Sequence, residues 1–444
     1  MNRSENLTIP QSDRFCLTNA RVPVCLLEVP LGEVGENQTS EGLSLVDLEI
    51  DGGAIARILP ARRGEETREV PAVDLDGGQV WPCFVDLHAH LDKGHIWTRS
   101  PNPDGSFESA LEVVKRDSQR YWDAEDVFRR MEFDLKCSYA HGTKAIRTHI
   151  DSSGELAAIS FGVFRELQAR WKGRLILQAV SLVGLDYYLT PEGERLADLV
   201  AEVGGVLGGV VYMNSDLDEQ IERVFALAKE RQLNLDFHVD ENGNPESVGL
   251  REVARAVIKY QFSGRVICGH CCSLAVQPPG LVMETIELVR EAGVGVVNLP
   301  ATNIYLQDRS FERTPRWRGV TLLHELKRAG VPVAIASDNC RDPFCSFGDR
   351  DLLEVFKLAV KIAHLDLPFS DWPQAVTKIS AELMGLADVG KIGVGLPADL
   401  ILFKGRNFSE LLSRPESDRV VLRNGKAMDT TLPDYRELDD LINS

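Results

Sequence analysis

Residues Pro82–Lys93 read PCFVDLHAHLDK: a short apolar run, Phe84–His88, that ends on two histidines separated by one residue. Seven further apolar runs follow it, at Lys144–His149, Leu175–Ser181, Val206–Tyr212, Leu235–Val239, Arg265–His270, Gly295–Leu299 and Val331–Ser337. Amphipathic stretches of helical period lie between them, among them FESALEVVKRDSQRYW, LDEQIERVFALAKERQ and TLLHELKRAG. Strands alternating with helices imply a parallel sheet, and eight such units close into a (β/α)₈ TIM barrel. An open, doubly wound sheet would be expected to follow its first strand with a glycine-rich phosphate loop. Here HAHLDKGH takes that place. The fold expected is α/β, of the barrel type.

Outward from the barrel the pattern changes. FCLTNARVPV, LVDLEIDGGAIARILPA and EVPAVDLDGGQV near the N-terminus are alternating runs broken by Gly-Gly and Pro, and ADLILFKG and DRVVLRNGKAM near the C-terminus match them. Neither end has enough strands for its own core, so the two are expected to build one small β-sandwich. The segments expected are 1–80 and 388–444 for the sandwich and 81–387 for the barrel, with Gly32–Ser44 a polar loop.

Composition sets outer limits. Hydrophobic residues make up 44% of the 444, enough for a large core, and the formal charge is −18 with no basic run. Such a surface repels phosphate backbones and anionic lipid, which argues against nucleic acid and membrane as partners. The polar start, MNRSENLTIPQSDRF, lacks a signal peptide's apolar core, and nine scattered cysteines suit a reduced compartment. A cytoplasmic protein is expected.

Chemistry concentrates where barrel sites lie, at the C-terminal ends of the strands. The first run ends in His88-Ala89-His90, the fifth in His238-Val239-Asp240-Glu241, the sixth in Gly269-His270 and the eighth in Ser337-Asp338-Asn339. Residues two apart on a strand share a face, so His88 and His90 can reach one ion together. Imidazole and carboxylate suit a borderline divalent ion such as Zn²⁺ or Fe²⁺. An isolated HxH means little; four such features in strand order, in a chain with nine histidines, point to a metal site. His95, His141, His324 and His364 carry no catalytic reading. Cys271 and Cys272 are expected to line the pocket.

The strings PCFVDLHAHLDK, RTHID, FHVDE, CGH, NLPATNIYLQDR and ASDNCRDPF together resemble the cytosine deaminase-like branch of the amidohydrolase superfamily, from about Val80 to Leu386. The ending VGKIGVGLPADLILF resembles that superfamily's return from barrel to sandwich. The resemblance implies a distorted barrel, a homo-oligomer and one divalent ion, Zn²⁺ or Fe²⁺, held by His88, His90, His238 and Asp338. It places Glu241 as the proton-carrying glutamate and His270 as a group that orients the attacking water and stabilises the developing oxyanion. The fourth run, ending VVYMNSD, lacks the lysine that bridges two metals in binuclear relatives, which implies one ion. The implied reaction is hydrolytic deamination of a nitrogen heterocycle (pyrimidine, pterin, purine or triazine). Water activated at the ion, with Asp338 as proton acceptor, attacks an amino-bearing ring carbon and ammonia leaves. Asp240 reads as a structural carboxylate, and His149 and Asp151 as braces of the barrel mouth.

The match thins around the substrate. Gly184 stands where cytosine deaminase has a pyrimidine-reading glutamine, Asn339 where it has a second aspartate, and Phe344 where tryptophan is usual. Lys93 resembles the lysine of triazine-processing N-isopropylammelide amidohydrolases; its alternative is a lysine paired with Asp92. These four residues are the substrate contacts expected, and they argue for a ring bulkier than cytosine. Two other readings stay open: release of an alkylamine from a triazine or opening of a cyclic amide, and a non-catalytic protein on the same scaffold.

Overall fold

A computed structural model describes residues 7–28, 38–61, 70–415 and 419–442. The eight apolar runs become eight parallel strands, β1 (Phe84–Ala89), β2 (Thr143–Asp151), β3 (Ile176–Leu182), β4 (Leu207–Val211), β5 (Leu235–Val239), β6 (Val266–His270), β7 (Gly295–Asn298) and β8 (Val333–Ile335). One sheet runs β1-β2-β3 and another β4-β5-β6-β7-β8. Parallel bridges Val180–Val206 and Gly184–Val210 join β3 to β4, and Ala89–Asp338 joins the end of β8 to β1, which closes the barrel. Every residue of β1, β5, β6, β7 and β8 is buried. Strands covered on both faces have no solvent side to mark with polar residues, and so they read as unbroken apolar runs.

The chain groups into two compact units. One comprises Asp86–Ser138, Ala145–Ala363 and Pro433–Ser444; the other comprises Met1–Val85, Tyr139–Lys144 and His364–Leu432. In the second, Ala54–Pro60, Leu43–Asp51, Arg14–Pro23 and Ala72–Asp74 form one four-stranded sheet, while Lys426–Ala427, Val420–Arg423, Leu400–Leu402 and Val80–Pro82 form another. A single buried cluster draws Phe15, Leu17, Val46, Leu48 and Ile50 from the first sheet and Leu400, Leu402 and Leu422 from the second. The two ends of the chain thus make the sandwich that neither could build alone. Gly52 and Gly53, at φ +58° and +84°, turn the hairpin between Leu43–Asp51 and Ala54–Pro60, a two-residue loop that needs positive φ at both positions. Of the loop expected at Gly32–Ser44, residues 32–37 lie outside the described residues, and Leu43 and Ser44 already belong to a strand. In the barrel unit, Leu438 near the C-terminus is buried with Phe133 and Cys137, and Arg129 pairs with Asp440. Among the described residues no helix is long and apolar enough to cross a membrane.

Candidate active site

Four side chains from three strand ends converge. The Nε2 atom of His238 lies 3.2 Å from Nε2 of His88 and 3.1 Å from Nε2 of His90. Asp338, just past β8, brings Oδ1 to 3.2 Å from His90 Nε2 and 3.6 Å from His88 Nε2. His88 has room because its neighbour in β6 is Gly269, where a Cβ would sit 3.0 Å from His88 Cε1. His149 covers the other side of His88, with ring centroids 3.8 Å apart. Asp240, His270 and Asp338 all hold positive φ, +51°, +66° and +64°. Non-glycine residues persist in that region only where their surroundings impose it, and such residues cluster at functional sites.

The cluster has the protonation and spacing that a cation needs. Burial, reinforced by neighbouring histidines, holds His88 and His238 well below the usual imidazole range; burial and Lys93 lower His90 to about 4. Burial alone would raise the Asp338 carboxyl, but its contacts with the His90 and His270 imidazoles and the Thr302 hydroxyl outweigh that and hold it below the usual carboxylate range. Neutral imidazoles with an ionised carboxylate are the state from which metals bind. Both Asp338 oxygens are buried, and His270 Nε2 is buried without a hydrogen-bond partner. Ligands at about 2.1 Å from a tetrahedral ion stand roughly 3.4 Å apart, and the observed spacings bracket that value. The residues fit a divalent ion.

Glu241 lies just past β5. Its side chain is 11% exposed, and Oε1 is 3.5 Å from His270 Nδ1. Burial raises its carboxyl to about 7, where it can both give and take a proton near neutral pH. Glu241, His90, His238 and His270 share a cavity of about 170 Å³ with Lys93, Gly184, Asn339 and Phe344. The structure therefore brings every sequence-named substrate residue to one space beside the cluster.

With that geometry in hand, similarity to known proteins decides the family. Residues 184–429 match the model of the family described as "Amidohydrolase family". The chain is 50% identical over 438 residues to the pterin deaminase of Rhizobium rhizogenes, covering 98% of both chains. It is 26% identical to the N-isopropylammelide isopropyl amidohydrolase of Pseudomonas sp. strain ADP, over 87% of this chain and 94% of that one. This chain belongs to the amidohydrolase family. Its fold matches the crystal structure of 5-methylcytosine deaminase from Klebsiella pneumoniae liganded with 5-fluorocytosine, with a TM-score of 0.79, 24% identity, and 93% and 97% of the two chains covered. Amidohydrolases of this kind are metal-dependent enzymes that hydrolyse carbon–nitrogen bonds, and this chain carries a buried His/Asp cluster.

Several details of this amidohydrolase differ from what its sequence suggests. Lys93 is buried and pairs with Asp151 at 2.7 Å, not with Asp92, because Asp92 is turned to accept the Asp151 backbone N–H. Cys271 and Cys272 are fully buried and do not line the cavity; the Cys271 thiol points to the Cys268 and Gly269 carbonyls. His95, in the turn past β1, is buried and bonded to Asp134. Asp240, by contrast, is the structural carboxylate expected: it accepts the N–H groups of Gly249 and Leu250 and so anchors a helix start.

Sequence reading also passed over residues that build the amidohydrolase site. Tyr212 and Phe107 line the cavity, and Asp342 holds Asn339 through a 2.7 Å bond. Arg350, with no accessible side chain, donates to the backbone carbonyls of His90 and Asp338 and to both oxygens of Asp134, so it ties together the two strand ends that carry His90 and Asp338. Asp86 accepts from the Ser337 hydroxyl and N–H on the adjacent strand. A buried arginine without an obvious motif partner gives no linear signal; its partner Asp134 is 216 residues away.

Proposed function

We propose that this amidohydrolase deaminates a pterin: the exocyclic 2-amino group of a 2-amino-4-oxopteridine is replaced by oxygen from water, and ammonia leaves. The observation that carries the reading is the placement of Glu241 in the cavity wall with His90, His238 and His270, with its carboxyl poised at about 7. The 50% identity to a pterin deaminase supports the choice of ring, as does Gly184, which leaves the cavity wall without a side chain.

His88, His90, His238 and Asp338 would hold one ion, Zn²⁺ or Fe²⁺ by donor type, and the absence of lysine at the end of β4 supports a single one. The chemistry such an ion supplies when bound is Lewis-acid activation of water, lowering its pKa towards about 7. Asp338 is oriented to take the proton of the attacking water. Glu241 gives its proton to the adjacent ring nitrogen as the carbon becomes tetrahedral, takes one from the new hydroxyl group and passes it to the departing amine; the proton held by Asp338 then restores Glu241. Lys93, paired with Asp151 and with its Nζ 5.6 Å from the Phe344 ring centroid, gives the wall a cation for a ring oxygen. Asn339, fixed by Asp342, presents its amide to the same cavity.

We assign catalysis to the barrel segment 81–387 and the sandwich to 1–80 with the part of 388–444 that precedes Pro433, since Pro433–Ser444 groups with the barrel. Nine cysteines without a disulfide suit the cytoplasm, and a homo-oligomer follows from the family resemblance. The test is ammonia release by purified, metal-analysed protein across aminated pterins, pyrimidines, purines and triazines. Turnover is expected with pterin foremost. Alkylamine release from an N-alkylated triazine, with pterin inert, would shift the reading towards the Pseudomonas relative. A well-folded protein that holds no divalent ion near stoichiometry would overturn it.

A further inference from the structure

His270 faces two ways. Its Nδ1 lies 2.9 Å from Asn303 Oδ1, while its Nε2 is buried without a hydrogen-bond partner, and a ligand atom of His270 groups with those of His88, His238 and Asp338 within 4.8 Å. Asn303 is fully buried in the helix Pro300–Leu306, which starts just past β7. Its amide is not free to turn over, because Nδ2 donates to the Gly319 carbonyl at 3.1 Å. The oxygen therefore faces the imidazole, and an amide oxygen only accepts. The Gly319 carbonyl reaches the amide from a φ of +67°, in a place where a Cβ would lie 2.4 Å from Gln307 Cγ. Glu241 Oε1, at 3.5 Å, is the more distant partner of the same nitrogen.

We propose that Asn303 is a positioning residue that keeps the His270 proton on Nδ1, so that Nε2 meets the cluster as a lone pair. The neutral ring then accepts at Nε2: it can bind an ion or receive a hydrogen bond from the attacking water, and it cannot donate to an oxyanion from that atom. This revises the donor role that the sequence suggests for His270. Outer partners that fix a histidine's tautomer are a recurrent feature of metal sites, and losing one costs about 10–100-fold in affinity or activity. The inference rests on the metal-hydrolase reading for its consequence in catalysis, but not for the tautomer itself.

The deciding experiment is long-range ¹H–¹⁵N correlation on ¹⁵N-histidine-labelled full-length protein, metal-free and zinc-loaded, with His270 signals assigned by their loss in His270→Ala. The wild type should show His270 protonated at Nδ1. Asn303→Ala should lose that preference and lower kcat by about 10–100-fold, with KM and metal content unchanged. Asn303→Asp, which keeps an accepting oxygen, should restore the Nδ1–H form. A wild-type ring protonated at Nε2, or an Asn303→Ala variant that keeps both the Nδ1–H form and the wild-type kcat, would overturn the proposal. Should the protein prove inactive on every ring, the proposed function falls, and the tautomer of the metal-free protein still decides this inference.

Discussion

The cavity has two sides of different construction. On the ion side, His88, His90, His238 and Asp338 stand at or just past strand ends, buried, with Arg350 holding the backbone of two of them. On the ring side, Lys93 lies beyond β1, Phe107 opens a helix and Phe344 sits in a loop past β8; each is placed by a partner far off in the chain or on another element. The first side is a consequence of the barrel; the second is an addition to it. That difference explains why the sequence points to the clustered histidines and Asp338 at once and to the ring side less directly.

The sharpest way to test the comparison is to remove the group that links the two sides. Glu241→Gln should leave metal content intact by elemental analysis and lower kcat by about 10²–10⁴-fold, the usual worth of a positioned acid/base. Near-normal turnover would remove Glu241 from the mechanism. Next in size is the brace of the ion side. Arg350→Met leaves Asp134 buried without its cation and frees the His90 and Asp338 carbonyls. Breaking a buried pair from one side costs about 3–5 kcal/mol, which denaturant melts would show, accompanied by weaker metal retention.

A third test uses the stability that Glu241 gives up. Burial raises its carboxyl from an ordinary 4.5 to about 7, so the folded state binds this proton more tightly than the unfolded chain does. Stability from this group is fully present below about 4.5 and is lost as pH rises towards about 7, at about 1.4 kcal/mol per unit. Metal-free Glu241→Gln should therefore melt above wild type by a margin that grows between those pH values and then levels off. A margin independent of pH would contradict the assignment. The smallest effect is expected on the ring side. Lys93→Met should raise KM for oxo-bearing rings by about 10–100-fold, the range of a charged hydrogen bond, with kcat changed less. An unchanged KM would make Lys93 part of the wall's structure only.

How far the sequence could be read follows the same division. Period-two spacing puts His88 and His90 on one face, and a strand buried on both sides announces itself as an apolar run, so the barrel and the histidines at its strand ends are visible in one dimension. Glu241 is visible because it follows His238 by three residues at a strand end. Lys93 was visible as a residue but not as a pair, because Asp151 lies 58 positions away and only the β1–β2 contact brings them together. Asn303 and Arg350 left no signal of their own: their significance lies in which backbone and ring atoms they reach. The thiols of Cys271 and Cys272 were misplaced for a related reason. A positive φ at His270 and Cys271 turns the chain at the strand end, and the Cys271 thiol points to the Cys268 and Gly269 carbonyls.

The central claim is that water oxygen replaces an exocyclic amine on a ring bound between these two sides. It is tested most directly by a single turnover of pterin on the metal-loaded protein in H₂¹⁸O. One ¹⁸O should enter the product at the former amino carbon, with one equivalent of ammonia released. Product lacking ¹⁸O at that carbon, or ring conversion without ammonia, would contradict the account.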